Sequence, residues 1–217
     1  MSGEPINVEH DNHLRCAGEC FMFLSWVQST MCDLLALHGL GPERKKRYNA
    51  AHRAGASWPS DFSTRRMELS GRNFGSLKDE FLRTWPQWCD PPDVREALER
   101  VVIYRNGIAH AQIQPFRDYL LYTPSASSWK KIREYTRCHQ CREFHKDCGC
   151  DKANQASPPS LIFPFLDSRF LTSLYADVEM VDVNCFAPTA AALGVAYKGI
   201  AWPDAHRGYR LARVHGS

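Results

Sequence analysis

A chain of 217 residues, 44% apolar and 24% charged, is long enough to bury one sizeable core and has the composition of an ordinary globular domain. Those figures exclude intrinsic disorder and a fibrous repeat. A net charge of +3 is too mild to announce a nucleic-acid binder by itself. The polar, acidic opening MSGEPINVEHDNH offers neither a basic n-region nor an apolar h-region, so no secretory signal is expected and a cytoplasmic location follows.

Cys16 to Leu37 carries apolar side chains at Ala17, Cys20, Leu24, Val27, Met31 and Leu34, the three-four spacing of a long helix that Gly39 to Pro42 stops. Glu19, Gln28 and Asp33 interrupt this stretch, which argues against a bilayer span. The basic residues 43–66 read as a short helix followed by a loop. A second amphipathic helix is expected from about Asn73, through Phe74, Leu77, Phe81 and Leu82, to a stop at Pro86. A third starts with Asp90 as cap and buries Val94, Leu98, Val101 and Val102. Residues 119–136 then read as two short strands around TPSASS, a small hairpin. A Pro/Ser-rich connector follows the cysteine cluster, and spacing from Phe170 through Leu174, Val178 and Val181 opens a last helix, continued beyond Pro188 and kinked there. The fold class is all-α: four or five helices forming one domain over 12–217, with an inserted hairpin at 119–160 before the last helix.

Two features carry chemistry. The buried row of the third helix continues onto Arg105, in the run YRNGIAHAQ. A guanidinium on an apolar row must be paired or face a cleft or a partner subunit, because an unpaired buried charge costs several kcal/mol, roughly. His110 lies five residues on, about 140° away around a straight helix. Asn106-Gly107 therefore reads as a break that swings His110 back toward Arg105. Histidine titrates near neutrality and suits proton transfer, whereas the planar arginine fork suits phosphate oxygens.

The second feature is CHQCREFHKDCGC. Cys138 and Cys141 form a CxxC, Cys148 and Cys150 a CxC, and together they supply a closed thiolate set for structural zinc, with His145 as a spare ligand. A closed set leaves no open position for a catalytic metal. Lys130, Lys131, Arg133 and Arg137 flank the cluster and are candidate contacts to an RNA backbone, with Trp129 a stacking platform. Cys16, Cys20 and Cys32 read as core packing, and His52 as a solvated histidine. No Walker loop, dinucleotide turn, HExxH or nucleophile elbow occurs.

RNGIAH resembles the Arg-x4-His motif of HEPN domains, and the order of helices from Cys16 to Lys198 is similar to that family's four- or five-helix bundle. The resemblance implies a metal-independent endoribonuclease, in which an RNA 2′-hydroxyl attacks the adjacent phosphorus to leave a 2′,3′-cyclic phosphate and a 5′-hydroxyl. It implies Arg105, Asn106 and His110 as site residues, with Glu19 or Gln28 as a helper on the first helix. It also implies a homodimer with a composite site, in a toxin-antitoxin or defence role that would bring a regulatory protein as partner. The alternatives are a catalytically silent HEPN module binding RNA or a protein, and a zinc-bearing interaction protein of another fold.

Overall fold

The computed structural model describes residues 8–113, 119–150, 159–164 and 167–200. Most of the Pro/Ser-rich connector and everything past Ile200 lie outside the described residues. Within them the chain is predominantly helical, as expected, with a small sheet: α1 (Val8–His38), α2 (Pro42–Ala54), α3 (Ser60–Ser70), α4 (Phe74–Thr84), α5 (Pro86–Cys89), α6 (Pro92–His110), β1 (Gln112–Ile113), β2 (Leu120–Tyr122), α7 (Ala126–Tyr135), β3 (Leu161–Phe163), α8 (Ser168–Val181) and α9 (Ala187–Leu193). The chain divides into two compact units that both draw on α1, α6 and α8. Among the described residues, a bundle unit comprises 24–102 with 176–200, and a knuckle unit comprises 8–23 with the described part of 103–175.

The bundle unit is built by apolar stripes. Leu24, Val27 and Met31 of α1 are fully buried, as are Phe62, Leu77, Phe81, Leu98, Val178 and Phe186. Asn73 caps α4 by accepting from the Ser76 amide at 2.8 Å. Pro86 does more than stop that helix, since it opens the single turn α5, where its missing N–H costs nothing. Asp90 closes this turn as its C-cap and is not the cap of α6, which starts at Pro92. The loop expected before Met67 contains α3, whose buried Phe62 and Leu69 share one face among polar neighbours. Of the cysteines expected to pack, Cys20 and Cys32 are buried and Cys16 is half-buried, and the Cys89 and Cys185 sulfurs touch at 3.1 Å.

The buried Lys78 and Asp177 of this unit have charged partners. Lys78, 3% exposed, donates to Glu99, which is itself buried. Arg100 grips Asp177 with two bonds of 2.9 Å. The expected kink at Pro188 takes the form of a π-helical turn, Asp182–Phe186, ahead of α9. Widening the helix there relieves the clash of the proline ring with the carbonyl four residues back. The helix then ends at Leu193, with Gly194 in the left-handed conformation (φ 68°), rather than continuing through the VAYKGI run. Residues 195–200 form a strap without regular secondary structure.

In the knuckle unit the strands are antiparallel in the order β1-β2-β3, with Leu121 opposite Gln112 on one side and Ile162 on the other. The TPSASS run is not a hairpin turn. Ser125 accepts from the Ser128 amide at 3.3 Å and caps α7, so the second expected strand is helical. The antiparallel bridge comes one step later, Arg137 opposite Phe144, inside the cysteine cluster.

The stretch Asn12–His38 of α1 is long and apolar enough to cross a membrane, but 56% of its most apolar window is buried within the protein, as in a core helix.

Candidate functional site

The knuckle is assembled by its backbone. The Cys138 amide donates to the Glu143 carbonyl at 2.8 Å, and the Arg142 amide returns to the Cys138 carbonyl at 3.0 Å, closing a tight loop around the CxxC pair. Arg142 sits at φ 69°, a left-handed position that glycine would occupy without strain. Its side chain donates to Asp167, tying the loop to the start of α8. Burial works to raise the Asp167 carboxyl, but the bonds from Arg142 and Arg169 outweigh it and hold the group below its ordinary value.

This scaffold brings the ligand atoms of Cys138, Cys141, Cys148 and Cys150 within 4.8 Å of one another. Tetrahedral zinc–thiolate bonds of about 2.3 Å set sulfurs about 3.8 Å apart, so the four can hold a metal ion. Backbone amides serve the sulfurs: Cys150 N–H donates to Cys148 Sγ at 3.3 Å, and the Glu143 amide is the main influence holding the Cys141 thiol below its ordinary value. The spare ligand His145 is not among these groups; it is buried and packs edge-on against Trp129, centroids 5.1 Å apart. That contact also occupies the expected stacking platform.

The basic flank divides into two roles. Lys130, Lys131, Arg133 and Arg137 are all exposed. Arg133 donates to the Lys146 carbonyl at 3.0 Å and Arg137 to the Arg142 carbonyl at 3.1 Å, the latter also lying over the Phe144 ring at 4.1 Å. Both arginines therefore brace the knuckle, while the lysines stand on the outer face of α7.

At the end of α6 the expected break is absent. The helix continues without interruption through Asn106 and Gly107 to His110. Gly107 is required for close approach instead: a Cβ there would lie 2.5 Å from Phe163 Cζ and 3.3 Å from Tyr122 Cδ1, so the sheet rests directly on the helix backbone. Tyr104 completes this packing against Phe163 and Phe170, at 6.1 and 5.6 Å. On the unbroken helix Arg105 and His110 stay about 140° apart and do not converge within one chain.

Arg105 is half-buried, and its Nε is enclosed without a hydrogen-bond partner. Its Nη1 reaches Asn106 Oδ1 at 3.5 Å, and among the described residues it forms no ion pair. Burial draws it below arginine's ordinary value, yet a guanidinium remains charged at neutral pH. His110 is exposed in the last turn. Of the two suggested helpers, Glu19 belongs to the same unit as Arg105 and Gln28 to the other.

Sequence reasoning missed a cavity in the bundle unit, which Asp33, Tyr48 and His52 help to line. The visible signal was a polar pair, Thr30 and Asp33, three residues apart on the face beside the apolar stripe of α1. Comparison with protein-family models, with curated proteins and with solved structures finds no match to the chain.

Proposed function

We propose that the protein acts on RNA as a HEPN-type, metal-independent endoribonuclease whose knuckle holds structural zinc. The observation that carries this reading is Arg105: a half-buried guanidinium with no carboxylate partner among the described residues, five residues ahead of an exposed histidine at a helix end. A buried cation without a counter-ion is suited to an external anion, and a phosphodiester supplies one. In the reaction, the 2′-hydroxyl attacks the adjacent phosphorus and the 5′-oxygen leaves. His110 moves a proton, Arg105 stabilises charge on the phosphate oxygens, and Asn106 orients the guanidinium. Because the two side chains diverge on one helix, the reading requires a second copy to complete the site. Exposed Leu14 and Phe21, seven residues apart on one face of α1 in the same unit, support such a contact.

The unbroken α6 favours a second reading, a silent module in which Arg105 binds the RNA backbone and His110 has no catalytic task. Zinc-loaded protein incubated with mixed RNA, without added divalent metal, separates the two. Cleavage leaving 2′,3′-cyclic ends, reduced on the order of a hundredfold or more in both Arg105→Ala and His110→Ala, supports the ribonuclease. RNA left intact by high protein, but bound in an Arg105-dependent way, supports the silent module. Neither binding nor cleavage removes RNA from the account.

A further inference from the structure

In the bundle unit one face of α1, carrying Trp26, Thr30 and Asp33, borders a cavity of about 110 Å³ together with Tyr48 of α2, Trp58 of the following loop and the strap 195–198. The strap is fixed from two sides. Asn49 donates to the Gly194 carbonyl at 3.0 Å and accepts from the Ala196 amide at 2.7 Å. Asp182 accepts from the Tyr197 hydroxyl and, at 2.8 Å, from the Ile200 amide. Gly199 allows this, since a Cβ there would fall 2.8 Å from Asp182 Oδ2. The cavity is therefore a shaped one with an anchored wall. Its rim reaches solvent at Trp58, which is 39% exposed.

Besides His52 and Lys198, three polar groups with unused capacity line this space. Thr30 is only 6% exposed, and its hydroxyl makes no hydrogen bond among the described residues. Tyr48 is 5% exposed, and its hydroxyl is likewise unpartnered among them. Burial, then the nearby Asp33 charge, pushes Tyr48 up to about 12, so it remains a donor at neutral pH. Asp33 receives Arg66 on Oδ1 only, leaving Oδ2 to accept. Spacing on α1 supports convergence, because residues three and four apart share a helix face.

The chemistry selects a ligand. A cavity of this size is on the scale of the roughly 150 Å³ that accommodates benzene, which admits one six-membered ring and not a fused pair. The tryptophan and tyrosine walls suit a flat π-system. A quaternary cation is disfavoured, since Arg66 already neutralises Asp33 and lies over the Trp58 ring at 5.2 Å. Two hydroxyl donors and one carboxylate acceptor call for a ring with two acceptors and an amino group.

We infer that this pocket receives a cytosine-type base, its exocyclic amine donating to Asp33 and its ring nitrogen and carbonyl accepting from Thr30 and Tyr48. Uracil would turn a carbonyl toward the Asp33 carboxylate and is rejected. The inference stands on the bundle unit alone and does not depend on RNA cleavage. The base comes either from a free nucleoside or from a strand, and both present the same edge.

Tryptophan fluorescence of the full chain, titrated with cytidine, uridine, adenosine and tetramethylammonium, tests it. Saturable quenching by cytidine is expected, with uridine at least about tenfold weaker. Thr30→Val should weaken cytidine without unfolding the chain, and Asp33→Asn should erase the preference over uridine. A 2′-O-methyl oligocytidylate identifies the source: competition with cytidine places the base in a strand, and its absence a free nucleoside, either of which upholds the site. No saturable response to cytidine, an equal response to uridine, or a response to tetramethylammonium instead overturns it.

Discussion

In the bundle unit, Phe62, Phe81, Leu98 and Phe186 lose all contact with solvent, and order follows from apolar burial. From Thr136 to Cys150 in the knuckle unit, the buried side chains are Thr136, Cys138, His145 and Cys148, of which two are metal-ligand candidates. That stretch has too little apolar surface to order itself. The contrast marks where metal coordination would take over from a core: a metal held by the four thiolates would supply locally what the bundle obtains from its stripes.

The strongest way to break the comparison is to remove the metal. Zinc in comparable small sites contributes roughly 10–16 kcal/mol of apparent binding free energy, which is folding free energy for the segment that holds it. Cys138→Ser/Cys141→Ser protein, or chelated wild type, should lose amide exchange protection across 136–150 while Val94–Val102 retains it. Uniform loss through both segments, or a zinc ratio near zero in wild type by metal analysis, would sink the staple. Next in size is Lys78→Ala. It leaves Glu99 buried against a missing cation and should destabilise the bundle by about 3–5 kcal/mol in urea melts. Lys78→Met/Glu99→Leu should recover most of that loss, since an apolar pair of similar volume removes both buried charges together.

How legible each region was follows from the same contrast. The stripes of α1, α4, α6 and α8 could be read because their spacing is dictated by burial, whereas Asn73 was legible only as the approximate start of α4 and not as its cap. The four cysteines could be read because thiolates at knuckle spacing have few other uses. By contrast, α3 shows only Phe62 and Leu69 of its buried face, too sparse a pattern to outweigh its serines and arginines. Ser125 was taken for turn chemistry because the same residue type serves turns and helix caps alike. Gly107 was misread for a deeper reason. A glycine that ends a helix and one that admits an aromatic ring look identical until Phe163, distant in sequence, is in place.

Gly107 can therefore be tested by the sign of a small change. If it served as a break or merely as a helix residue in open space, Gly107→Ala would stabilise the protein by about 0.5–1 kcal/mol through reduced backbone entropy. With the Phe163 ring against it, the added methyl should instead cost about 1–3 kcal/mol, because the sheet must move off the helix. Denaturant melts of the single variant decide it, and Gly107→Ala combined with Phe163→Leu should be milder than the sum of the separate losses.

The smallest effect is a difference in pH dependence between two arginine-bonded aspartates. Burial dominates at Asp177 in the bundle and raises its carboxyl despite Arg100, whereas hydrogen bonds from Arg142 and Arg169 outweigh burial at Asp167 and lower it. A folded value above the unfolded one, near 3.9, means that the folded state holds the proton more tightly. Stability contributed by Asp177 should then fall as pH rises from about 4 through the folded value. For Asp167 the order is reversed: its contribution is complete above about pH 4 and is lost only on descending through the lower folded value. Urea melts at stepped pH above about 4 should show the gap between wild type and Asp177→Asn drifting in favour of asparagine as pH rises, while the gap for Asp167→Asn stays flat. A flat gap for Asp177→Asn would show that Arg100 offsets its burial in full, making the two aspartates alike.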